Sequence, residues 1–74
     1  MTTLSKAEKL QIIESRSRGI EYKKFGLEID LVVENAKTSP DSEAVSVIED
    51  AISECSNQLS VLNSELAEVN AIEE

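Results

Sequence analysis

The sequence has no histidine and no tryptophan, and only one cysteine, one proline, one tyrosine, one phenylalanine and two glycines among its 74 residues. Each scarcity removes a class of solution. A lone cysteine cannot close an intrachain disulfide. Without histidine, that single thiol cannot assemble a structural zinc site within one chain either. The usual base for activating a serine or cysteine nucleophile is also missing. Helical carboxylates such as Glu49 and Asp50, or Glu65 and Glu68, lack the accompanying histidine of metal-binding bundles. The sequence therefore predicts no enzyme activity, no catalytic residues, no metal and no cofactor, with Cys55 as a buried structural thiol. No stretch approaches the eighteen or so apolar residues of a membrane span. The start, Met1-Thr2-Thr3-Leu4-Ser5-Lys6, lacks a basic segment followed by an apolar run, so no membrane partner is expected and a reducing, cytoplasmic setting is.

What is present is acid, in an uneven distribution. All seven Lys and Arg lie at or before Lys37, together with six acids, whereas nine acids and no base follow from Asp41 onward. The first half is thus close to neutral and the second carries the whole net charge of −8 and one unit more. Direct nucleic-acid binding by the second half is disfavoured, because phosphate contacts need cations. Basic protein surfaces suit it better, and such a helix could imitate nucleic acid as an acidic inhibitor.

The single proline marks the organisation. In Thr38-Ser39-Pro40-Asp41, Ser39 suits an N-cap and Pro40 the first helical turn, so a helix is predicted to end near Lys37 and another to begin at residue 40. After the turn, Val45, Ile48, Ile52, Cys55, Leu59, Leu62, Leu66 and Val69 alternate steps of three and four without a miss, which is the spacing of a heptad seam. Before it, Ser5 and Glu8 have the form of a capping box, and Leu10 and Ile13 begin an apolar face. Gly19 then either ends this helix or costs it about 1 kcal/mol, leaving one arm or two. Beyond it a face runs through Tyr22, Phe25, Ile29, Val32 and Ala36, widened by Val33.

One domain of matched arms follows, about 5–37 and about 40–73, each roughly 50 Å long, joined by a turn at 38–39. The predicted fold is all-α, an antiparallel helical hairpin with coiled-coil-like packing. A chain this short buries only about 60% of its unfolded surface, so an oligomeric bundle is expected. Folding back about Ser39 sets Ile29 near Ile48 and Ile52, Phe25 near Cys55, and Ile13 near Leu66. It also sets Arg16, Ser17 and Arg18 opposite Gln58 to Leu62, over which the hairpin leaves a polar notch. Leu59, Leu62, Leu66 and Val69 are accordingly the predicted protein interface, for a second copy or another protein's helix. Arg stems covering those leucines would be the ordinary alternative.

A second candidate gathers Arg16, Arg18, Tyr22, Lys23, Lys24 and Lys37 as contacts for a small phosphorylated ligand. The competing reading is a solvated face in which Arg18 pairs with Glu14 and Lys24 with Glu28. Ser39-Pro40-Asp41-Ser42-Glu43 followed by Ile48-Glu49-Asp50-Ala51-Ile52 resembles the turn and second helix of small phage proteins that sequester cyclic nucleotides against bacterial immunity. That family's tryptophan-containing stretch is absent. The resemblance implies a ligand between subunits near Tyr22, Lys23 or Lys37. The predicted function is a non-enzymatic acidic interaction protein, a bacterial or phage accessory factor that self-associates or binds a protein partner. The alternative is a phage anti-defence protein acting in the host cytoplasm, as a cyclic-nucleotide sponge or an acidic inhibitor.

Overall fold

The first helix begins where the sequence places its cap. Ser5 adopts an extended conformation, its Oγ accepts from the Glu8 N–H at 3.1 Å, and Glu8 Oε1 accepts from the Ser5 N–H at 2.9 Å. These bonds hold the Glu8 carboxyl below its usual range. From this start the computed structural model, which describes residues 3–72, runs α1 (Lys6–Asn35) without interruption through Gly19. The chain then turns and returns as α2 (Ser42–Asn70). The two helices pack against each other in a hairpin 57 Å long. Among the described residues there is no strand. Residue 73, the expected end of the second arm, lies outside them.

The connection is longer than expected, and its cap is different. Helix α1 closes at Ala36 and α2 starts after Asp41, so the turn spans 36–41 rather than 38–39. Asp41, not Ser39, is the N-cap. Its carboxylate accepts from the N–H groups of Glu43 at 2.9 Å and Ala44 at 3.3 Å. A charged acceptor at the positive end of a helix gains the dipole interaction that a serine hydroxyl lacks.

Glu34 completes this cap from the other helix. Its Oε2 accepts from the Asp41 N–H at 3.3 Å and its Oε1 pairs with Lys37 Nζ at 3.0 Å. In a capping box the third helical residue makes the bond back to the cap, but in α2 that residue is Ala44. Glu34, buried to 9% exposure, takes its place. The Lys37 ammonium and then the Asp41 N–H hold its carboxyl below the usual range. At the open end Lys6 Nζ donates to the carbonyls of Asn70 at 2.9 Å and Ile72 at 3.1 Å. Helix α2 has no base in its own last turn, so α1 supplies the cation its C-terminal carbonyls favour.

The α2 side of the seam matches the sequence pattern. Val45, Ile48, Ile52, Leu59, Leu62 and Leu66 are half-buried, while Cys55, at 2%, and Val69 are buried. The α1 side matches only at its start, where Leu10 and Ile13 are half-buried as expected and Ile13 lies across a hollow from Leu66. The half-buried residues of α1 are Lys6, Lys9, Leu10, Ile13, Ser17, Ile20, Lys24, Leu27 and Leu31, leading to buried Glu34. Tyr22, Phe25, Ile29, Val32, Val33 and Ala36, expected to face α2, are exposed. The reason is phase. An unbroken helix carries Leu10 and Ile13 forward, in steps of three and four, to Ile20, Leu27 and Leu31; reaching Tyr22 and Phe25 instead would need a break at Gly19.

Candidate functional site

At 3.6 residues per turn the stripe Arg18, Tyr22, Phe25, Ile29, Val32 and Ala36 lies diametrically opposite the α1 seam, facing away from α2. Its large side chains are solvated: Tyr22 is 72% exposed, Val32 64%, Phe25 63%, Val33 59% and Ile29 46%. Helix α1 is therefore apolar on two opposite sides along its second half. Isolated exposed apolar residues are ordinary, but a contiguous file containing both aromatics of the chain is not.

The stripe has a polar end and two unlike edges. Arg18 lies over the Tyr22 ring, 5.6 Å from its centroid, an interaction that fixes both side chains on this face. Arg18, Glu21, Tyr22 and Phe25 line a shallow hollow there. One edge carries Glu21 and Glu28. The other carries Gly19 and Gly26, where an added β-carbon would meet nothing within 4 Å. Charge separates the helices as well: α1 contains six bases and six acids, while α2 contains six acids and no base.

The predicted interface residues occupy a different position. Leu59, Leu62 and Leu66 are half-buried and Val69 is buried, all on the side of α2 turned to α1. The expected notch is matched only in part: an opening lies beside Leu62 and Arg16, but Ser17, Arg18 and Leu59 do not line it. A groove of about 600 Å³ runs between the helices, lined by Arg16, Gly19, Ile20, Gln58, Val61 and Leu62 among others. Gly19, which adds no side chain, leaves room on its α1 wall, and Ser17 lines a separate, smaller hollow with Ile13, Asn63 and Leu66.

The six candidate phosphate contacts are not brought together. Arg18 and Tyr22 lie on the outer stripe, Arg16 and Lys23 one heptad apart on a flank, and half-buried Lys24 in the seam. Lys37 lies in the connection, bound to Glu34. Among the described residues neither Arg18 with Glu14 nor Lys24 with Glu28 forms an ion pair. No group of three His, Cys, Asp or Glu side chains among them is placed to hold a metal ion. Among the described residues no helix is long and apolar enough to cross a membrane.

Sequence reasoning saw the outer stripe but assigned it to the hairpin's interior. The signal that would have placed it outside was the mismatch in phase between Ile13 and Tyr22 on an unbroken helix. No protein-family model, no curated protein and no solved structure matches this chain.

Proposed function

We propose that this chain is a non-enzymatic interaction protein whose recognition surface is the outer stripe of α1. The observation that carries the reading is the exposure of Tyr22, Phe25, Ile29, Val32 and Val33 in one file on a helix whose opposite side already packs on α2. Burial of apolar surface is the main source of association energy, and aromatic side chains such as Tyr22 are frequent anchors. The six-acid, base-free α2 keeps the rest of the molecule hydrated. The seam residues Leu59, Leu62, Leu66 and Val69 then serve the hairpin itself. The test is photocross-linking in the producing cell, with a benzophenone amino acid at position 25 or 29 and, as a control, at position 50 on α2. Products from 25 and 29 and none from 50 support the reading; no product from 25 or 29 rejects it.

A second reading, an acidic inhibitor of a basic groove, draws on a separate observation. Glu43, Glu49, Asp50, Glu54, Glu65 and Glu68 of α2 are all exposed. Products from position 50 alone would favour it. The cyclic-nucleotide sponge gains no comparable support from the dispersed cations.

A further inference from the structure

We infer that the outer stripe is occupied by the same stripe of a second copy, the two α1 helices lying antiparallel with Phe25 of one beside Ile29 of the other. The inference rests on reading that stripe as the recognition surface and adds the identity and orientation of its occupant. Area is the first argument. A whole aromatic side chain presents roughly 150–250 Å², so the exposed fractions of Tyr22, Phe25, Ile29, Val32 and Val33 leave about 500 Å² per copy. Two copies would bury up to about 1,000 Å² in total from these side chains alone, the lower limit for a biological interface.

Charge is the second argument, and it selects both the helix and its direction. Pairing through α1 brings together two helices that each balance six bases against six acids, whereas pairing through α2 would set six acids against six. In the antiparallel arrangement Tyr22 meets the partner's Val32. Arg18 reaches the partner's Ala36, at the end of a helix with no base in its last turn. A parallel arrangement would instead set Arg18 beside the partner's Arg18. The bare edge at Gly19 and Gly26 lets the second backbone come close on that side, while Glu21 and Glu28 stay on the solvated edge. A two-fold pairing of this kind is closed and uses one patch twice.

The experiment has two arms, both on the full chain. Sedimentation equilibrium across concentrations is expected to give a dimer. Phe25→Glu with Ile29→Glu should weaken it by about a hundredfold or more while the helical circular dichroism is kept. A wild-type chain that stays monomeric at every concentration overturns the inference. In the second arm, Phe25→Cys and Ile29→Cys chains, both carrying Cys55→Ala, are mixed and oxidised. The mixed cross-link is expected to outrun either self-cross-link, and dominant self-cross-links overturn the antiparallel arrangement. The photoproducts from positions 25 and 29 separate the two levels of the argument. Products of two chains support the inference. Products with another protein overturn self-pairing and leave the recognition surface standing, and no products remove both.

Discussion

Glu34 is where the sequence of one helix serves the start of the other. Its carboxylate accepts both the Lys37 ammonium and the Asp41 N–H, and these hold its pKa below the ordinary value. A carboxyl with a lowered folded-state pKa stabilises the fold fully above its unfolded pKa, about 4.3, and loses that contribution as pH falls through the folded value. Glu34→Gln should therefore be less stable than the wild type at neutral pH, and the difference should close in acid; urea titrations at a series of pH values would show it. A difference that persists unchanged in acid would remove the carboxylate from the account. The two glycines make an opposite case. Gly19 and Gly26 have negative φ and open space around the position of a β-carbon. At concentrations where the chain is monomeric, Gly19→Ala and Gly26→Ala should each raise unfolding free energy by up to about 1 kcal/mol, the helix-propensity difference. A loss on either substitution would mean the hairpin itself needs the bare backbone there.

At the scale of elements, α2 was readable and α1 only in part. The seam from Val45 to Val69 is the one apolar stripe that runs the length of α2, so periodicity alone assigns its inward side. Helix α1 offers two stripes, and periodicity cannot choose between them. The stripe from Tyr22 to Ala36 is the more apolar over its own span, while the true seam is interrupted by Ser17 and Lys24 and ends in Glu34. What decides is length: only the stripe through Leu10 and Ile13 offers α2 large aliphatic groups along the whole arm. The capping box at Ser5 was legible because its two bonds are local. The cap of α2 was missed because Ser39 and Asp41 flank Pro40 and both suit an N-cap; only the contribution of Glu34, seven residues upstream, is non-local. Ser17 also marks the weakest layer of the seam. Ser17→Leu should fill part of the space between the arms and raise stability by about 1–2 kcal/mol, in line with the burial of one aliphatic side chain; thermal melts followed at 222 nm would detect it. No gain would show that the seam has no room for a larger side chain at this layer.

For the molecule as a whole, the main unfavourable electrostatic contribution is the acid of α2, which α1 does not neutralise beyond its own charges. Self-repulsion of this kind is long-ranged and screened by salt. Raising ionic strength from about 0.01 M to about 1 M shrinks the Debye length from roughly 30 Å to 3 Å, and the melting temperature should rise with it. A fall would mean that Glu34–Lys37 and the Lys6 contacts outweigh the repulsion. The same imbalance bears on assembly. If copies meet through α1, the acidic helices end up at the two outer edges of a flat row of four, and like charge at both edges discourages further growth.

The two latches at the ends of the hairpin also bear on the order in which it forms. Helix α1 carries its own start signal in Ser5 and Glu8 and both signs of charge. Helix α2 has its own cap in Asp41 but completes it with Glu34 and takes Lys6 at its end, and has no base to offset its acids. A segment that depends on its neighbour at both termini gains little from forming first. Helix α1 is thus expected to serve as the template, with early structure in refolding at residues 6–35 and the second arm becoming helical as it docks.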